Sequence, residues 1–177
     1  MERMSRLIAD LLDYSRTRLG EGLPLMRRPA LLDAICREAL DDVRAVHPER
    51  TIEYRPQGDG EGTWDAGRIG QVLVNLLTNA ARYSPAACPI TLAWWGGADE
   101  KVIAVHNDGP PIDPALLARI FEPFRRGGDV ASSPRGLGLG LYIVREIVRA
   151  HAGSVSVKSD ARAGTTFTVT LPPGIAR

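Results

Sequence analysis

Over Met1–Arg18 (MERMSRLIADLLDYSRTR) the apolar residues Met4, Leu7, Leu11 and Tyr14 recur three and four apart, with Ile8 and Leu12 widening the stripe. That period predicts a helix that buries one face against a partner. GEGLP follows, and its glycines and proline end the helix, so residues 21–29 are expected to link it to a separate unit, residues 30–177. From Ala30 to His47 the positions Leu31, Ile35, Ala39, Val43 and Val46 make a second helical face, with Pro48 beyond its end. TIEYRP and GTWDA are predicted short strands. A third helix is predicted to open on Asp65 as N-cap, to bury Ile69, Val72, Leu73, Leu76 and Ala80, and to stop at Ser84 before Pro85.

PITLAWW and KVIAVHN are apolar, β-branched runs joined by GGADE, a pattern that predicts a hairpin. A short helix around Pro114 to Ile120 is expected next, then the polar loop RRGGDVASSPRG, then an apolar helix entered through GLGLGL. GSVSVKS and TTFTVTLP close the chain as a second hairpin, in which Phe167, Val169 and Leu171 alternate with threonines and bury one face. Helices intermixed with mostly antiparallel strands predict an α/β fold built as a two-layer α/β sandwich, with the N-terminal helix appended.

Composition narrows the function. At 177 residues, 44% hydrophobic and 24% charged, the chain is of a size and character to form one folded domain plus an appendage. Twenty-two basic against twenty-one acidic residues leave a net charge of +1, so no broad positive face for nucleic acid is expected. Cys36 and Cys88 lack the spacing of a zinc site or redox pair, and His47, His106 and His151 are scattered, so both sets read as structural. No apolar run reaches the roughly 20 residues of a membrane span and no leader pattern is evident, which points to the cytoplasm, with any membrane anchor lying elsewhere in a parent protein.

The Asp65–Ser84 helix has an unusual outer face. Asn75 and Asn79, four apart, present two carboxamides on one side, with Gln71 before them and Arg82 a turn beyond. Asparagine disfavours helix, and a solvated face normally carries Glu and Lys. One reading is a tolerated surface. The sharper one is a site in which neutral oxygens bind a hard cation such as Mg²⁺ and Arg82 meets a phosphate. The alternating Gly136, Gly138 and Gly140 then enter a helix whose first amides would face an anion. A dinucleotide fingerprint would need a strand directly before those glycines, where DVASSPR stands instead.

Taken together, NLLTNAARYS resembles the N box of the sensor histidine kinases, whose superfamily includes the gyrase, heat-shock chaperone and mismatch-repair ATPases. NDGPPI resembles their first glycine box, FEPF the F box, GLGLGL the second glycine box and GTTFTVTLP the last glycine-and-strand element, in the family's order from Asp65 to Leu171. SRLIADLLDYSR resembles the second helix of the family's dimerisation hairpin, so residues 1–20 would be part of the dimerisation and phosphotransfer unit. The resemblance implies a Bergerat-type ATP-binding fold with ATP and Mg²⁺ as cofactors. It implies Asn79 as the Mg²⁺ ligand, Asn75 in support, Arg82 on phosphate and Tyr83 beside the nucleotide. It also implies nucleotide contacts at Asn107, Asp108, Gly109 and Ile112, at Phe121, Phe124, Arg125 and Arg126, at Gly136, Leu137, Gly138, Leu139, Gly140 and Leu141, and at Thr165.

Two letters depart from the pattern. Asn107 stands where the family has the Asp that reads adenine, and Pro111 stands for the second glycine of that box. Asn107 can still accept from the adenine amino group through its carbonyl oxygen; a shifted register would instead make Asp108 the reader. The superfamily's water-cleaving members carry a Glu where this chain has Asn75, an amide that cannot act as general base, so the resemblance implies a kinase and not a hydrolase. The expected partners are the phosphoacceptor histidine helix of the parent kinase, a response regulator receiver domain and, in the intact protein, a second copy. No histidine here lies in a phosphoacceptor context, so the chain is not expected to label itself. A degenerate module that dimerises without kinase activity is the alternative, motivated by Asn107 and Pro111.

Overall fold

The computed structural model describes residues 2–20, 22–125, 137–172 and 174. The elements run α1 (Glu2–Arg18), β1 (Arg28–Leu31), α2 (Leu32–Val46), β2 (Ile52–Gly58), β3 (Glu61–Trp64), α3 (Ala66–Tyr83), β4 (Ile90–Gly96), β5 (Lys101–Asn107), α4 (Pro114–Leu117), α5 (Gly140–Ala150), β6 (Ser154–Asp160) and β7 (Gly164–Leu171). Five strands form one sheet in the order β2-β4-β5-β7-β6, parallel only between β2 and β4, while β1 and β3 pair as a separate two-stranded ribbon.

Alternation in the strands decides the layering. Ile103 and Val105 of β5 and Phe167, Val169 and Leu171 of β7 are buried, whereas their neighbours in sequence are half-exposed. One sheet face is therefore hydrocarbon, and α2, α3 and α5 cover it with Ile35, Leu40, Ile69, Val72, Leu76, Ile143 and Ile147. Asp65 caps α3 as predicted, its Oδ1 accepting from the Arg68 amide at 3.0 Å. Cys36 is buried in this core, and burial pushes its thiol up to about 12, which leaves it inert.

The strand pairing also sets out one transverse row at one end of the sheet. Ser159 of β6 faces Thr165 of β7, Thr165 faces Asn107 of β5, Asn107 faces Ile90 of β4, and Ile90 faces Ile52 of β2. That row underlies the candidate site.

Three expectations change. The second helix starts at Leu32, because Ala30 and Leu31 pair with Gly62 and Glu61 in the ribbon; Leu31 and Val46 are exposed and take no part in its buried face. The segment expected to be a linker is fastened down: Leu23 is buried, the Met26 amide donates to Asp65 Oδ2 at 2.8 Å, Arg27 donates to the Ala150 carbonyl at 2.6 Å, and Arg28 and Pro29 belong to β1. Nor does α1 stand apart. Its polar and aromatic face meets both α3 and α5, with Asp13 bound by Arg68 and Asp10 by Gln71 at 3.3 Å on α3, and the Thr17 hydroxyl 2.7 Å from that of Tyr142 on α5. The stripe residues Ile8, Leu11 and Leu12 point outward and are exposed.

Candidate nucleotide site

Each side of the candidate site is carried by a different element. α3 supplies the carboxamides: Asn75 and Asn79 are half-buried on its free face, and Asn75 Nδ2 donates to the Gly140 carbonyl at 3.4 Å. That contact brings the first turn of α5 against the polar face of α3. The α5 N-terminus has no side-chain cap, since its N-cap is Leu139, and its first amides stay available to an anion. A turn past Asn79, the exposed Arg82 guanidinium lies 5.7 Å from the Tyr83 ring centroid, and Tyr83 is 44% exposed.

The sheet supplies the buried floor. Asn107 ends β5 and is 3% exposed; its Nδ2 donates to the Asp108 carbonyl at 3.0 Å, which leaves its Oδ1 without a partner among the described residues but not sealed from solvent. Asp108 points outward, 3.7 Å from His106 Nε2, with its side chain 54% exposed. The inward position therefore belongs to Asn107, not Asp108. Beside it, buried Thr165 shares a 2.7 Å hydrogen bond with Ser159, whose hydroxyl accepts from the Ile112 amide at 3.0 Å. Gly109 closes the gap to α3: a Cβ there would lie 2.6 Å from the Tyr83 carbonyl oxygen.

The glycines before α5 divide by cause. Gly138 has φ +72°, and a Cβ on it would meet the Arg125 carbonyl oxygen at 2.8 Å and Phe124 backbone at 3.1 Å. Its need for glycine is thus internal, where the chain passes the F-box segment, and Phe124 N–H donates to its carbonyl at 2.9 Å. Gly140 is different, because a Cβ there would touch only Asn75 at 3.7 Å, ordinary contact that the protein itself would tolerate. Leu139 is buried, Leu141 half-buried and Leu137 exposed. Arg126 and Gly136, with the rest of the expected loop between them, lie outside the described residues.

The two F-box phenylalanines do not act as a pair. Phe121 turns inward and meets Phe167 edge-on at 6.2 Å. Phe124, 51% exposed at φ 61°, sets its ring against Tyr14 of α1 at 5.1 Å. Arg125 is held by Glu122 at 2.9 Å, and Arg119, with Arg125, keeps that carboxyl below the ordinary glutamate range. The structure thus brings together Asn75, Asn79, Gly140, Tyr83, Gly109, Asn107 and Thr165 through direct contacts or adjacency; Phe124 and Arg125 reach that group by their backbone at Gly138, and the Asp108 side chain points away from it.

Residues 64–175 match the family model described as histidine kinase-, DNA gyrase B-, and HSP90-like ATPase. The chain is a member of this ATPase family. Its sequence is 34% identical over 174 residues to sensor histidine kinase CusS of Escherichia coli K12, an alignment covering 97% of the chain and 36% of that protein. Its fold matches the nucleotide-free catalytic domain of histidine kinase ThkA with a TM-score of 0.71 at 26% identity, over 84% of this chain and 97% of that one. Full-length ShkA in complex with AMPPNP matches with a TM-score of 0.77 at 26% identity, over 97% of this chain and 36% of that one. The chain spans 23% to 44% of the length of four curated relatives that it matches.

For an ATPase of this family the motif residues were legible as letters, but two neighbours of the site were not. Ser159 carries no motif, and only its register opposite Thr165 reveals it. Arg50 sits in an undistinguished turn, HPERT, yet its side chain reaches the end of α3. A different hollow, about 600 Å³ and open, lies at the far end of β5 between Pro29, Leu31, Thr63 and Lys101. Among the described residues no group of three His, Cys, Asp or Glu side chains could hold a metal, and no helix is long and apolar enough to cross a membrane.

Proposed function

We propose that the chain is the ATP-binding catalytic part of a bacterial two-component sensor histidine kinase, working in the cytoplasm, which delivers the γ-phosphoryl group of Mg-ATP to a histidine on another segment. The observation that carries this reading is the meeting of the carboxamide face of α3, the uncapped α5 N-terminus and the Asn107–Thr165 row of the sheet. The names of the relatives, sensor histidine kinases and a structure with an ATP analogue, support it.

The residues present suit a magnesium nucleotide better than a bare metal. Asn79 offers one neutral oxygen, which is enough for an ion that takes its other ligands from phosphate and water. When bound, the ion neutralises charge on the triphosphate. Asn107 accepts from the adenine amino group with the oxygen its own hydrogen bond leaves over. Arg82 and the first amides of α5 meet phosphate. Asn75, its NH₂ turned to Gly140, cannot take a proton from water, so the site holds ATP for an incoming imidazole and does not hydrolyse it. The imidazole nitrogen forms the new bond to phosphorus as the bond to the leaving ADP oxygen breaks.

The chain's own histidines suit other work. His151 is buried, its Nε2 accepting from the Asp65 amide at 3.1 Å and its ring bonded to the Ile147 carbonyl, while His106 bonds Thr166 on the sheet. The acceptor is therefore the phosphoacceptor helix of the parent kinase, the next recipient is a response regulator receiver domain, and the exposed Ile8, Leu11 and Leu12 are the face through which the intact protein pairs as a homodimer. Incubation with γ-labelled ATP and Mg²⁺, alone and with a histidine-bearing helical hairpin of such a kinase, tests this. Label on the hairpin and none on the chain is expected; label on the chain, or no binding of a fluorescent ATP analogue, contradicts it, the latter in favour of a degenerate dimerising module.

A further inference from the structure

We infer that Arg50 is a positioning residue for the nucleotide: its guanidinium fixes the end of α3, which faces phosphate, against the end of the sheet, which faces the base. The inference rests on the nucleotide site proposed above and adds to it, since Arg50 lies in none of the motifs.

Arg50 is 9% exposed, and it reaches only backbone carbonyls. Nη1 donates to Pro85 at 2.9 Å, and Nη2 donates to Ala81 and Ser84. Those carbonyls bracket Arg82 and Tyr83. Helices commonly end on a glycine or with carbonyls open to water, and a buried cation is a costly substitute unless geometry matters at that place. Its charge opposes the negative end of the α3 dipole, and its planar fork reaches several acceptors in fixed directions, which a flexible ammonium does not.

The backbone of Arg50 is tied to the other half of the site. Its amide closes the turn after α2 on the His47 carbonyl at 3.0 Å, and the next residue, Thr51, accepts from the Ile90 amide at 2.9 Å. Ile52 then begins the row that crosses the sheet through Ile90 and Asn107 to Thr165. Arg50 thus joins the last turn of α3 to the row that carries Asn107 by a route of two residues. A second tie, the close pass of the Tyr83 carbonyl over Gly109, spans the same two parts. A ligand that touches both parts feels their spacing. A ligand that touches only the sheet end does not.

The test compares Mg-AMPPNP, which spans both parts, with adenosine, which reaches only the base end, by NMR titration of the chain and of Arg50→Met and Arg50→Lys well below their melting temperatures. For Arg50→Met the Kd of Mg-AMPPNP is expected to rise about tenfold while that of adenosine stays within about twofold, with Arg50→Lys between them. Arg50→Gln, which keeps a hydrogen-bond donor without the charge, is expected to give the same pattern in weaker form and serves if Arg50→Met does not fold. A lower melting temperature with unchanged Kd for both ligands would reduce Arg50 to a structural cap and overturn the inference, as would equal weakening of both ligands. Failure of the unaltered chain to bind either ligand is a separate result, and it overturns the nucleotide reading itself.

Discussion

The two ends of β5 each bury a polar side chain, Lys101 at one and Asn107 at the other, and they are satisfied differently. Lys101 is sealed: its Nζ donates to the Gly97 carbonyl at 2.6 Å and lies 3.5 Å from Asp59. Asn107 uses its NH₂ on the adjacent carbonyl and keeps an oxygen to spare, beside elements that arrive from α3, β7 and the Gly109 turn. The open hollow of about 600 Å³ is at the Lys101 end. Volume therefore points one way and unspent hydrogen-bonding capacity the other, and capacity is the better guide, because a polar group whose partners are all internal has nothing left with which to recognise a ligand.

Substitutions at the two ends should separate function from stability. The largest effect is expected at Asn79, on the capacity side: Asn79→Ala removes the ligand oxygen for magnesium, and phosphoryl transfer to the hairpin should fall on the order of 100-fold with little change in melting temperature. A variant that keeps its rate would detach α3 from the chemistry. Next comes Lys101→Met, which removes the charged hydrogen bond to the Gly97 carbonyl and the pairing with Asp59; chemical denaturation should register a loss of about 2 kcal/mol while nucleotide affinity stays unchanged. Weakened nucleotide binding there would mean that the hollow takes part in the site. Asn107→Ala should do the opposite, raising the Kd of Mg-AMPPNP about tenfold, or about 1.4 kcal/mol, in a titration, with the fold intact.

The smallest effect concerns a third buried polar group. His151 is held neutral, its pKa below the ordinary 6.5 because burial disfavours the charged ring. As pH falls past 6.5 the unfolded chain takes up this proton before the folded one does. The contribution is therefore complete above that pH and is lost as pH drops toward the depressed folded value. Melting temperatures measured from pH 7.5 down to 5.5 should decline, and His151→Gln should flatten the part of the slope due to this ring. An unchanged slope in that variant would assign the acid sensitivity to other groups.

Much of this was legible in the sequence because it depends on local periodicity. The α3 helix, its Asp65 cap and its buried face follow from apolar spacing and one capping residue, and both hairpins follow from alternation and turn letters. Features made by distant segments were not legible. Nothing in the letters of residues 21–29 says that Met26 and Arg27 will find Asp65 and Ala150, or that α1 will turn Tyr14 onto Phe124 and leave Ile8, Leu11 and Leu12 outside. The site divides the same way. Asn75, Asn79 and Arg82 announce themselves by standing where Glu and Lys are usual, whereas the inward position of Asn107, the internal cause of Gly138 and the reach of Arg50 depend on which backbone passes nearby.

The central claim is best tested by mapping amide shifts as Mg-AMPPNP is titrated into the isotopically labelled chain. Perturbations centred on Asn79, Arg82, Asn107, Gly140 and Thr165, saturating together with a single Kd, are the result expected here. Shifts gathered instead around Leu31, Thr63 and Lys101, or scattered without saturation, would contradict it.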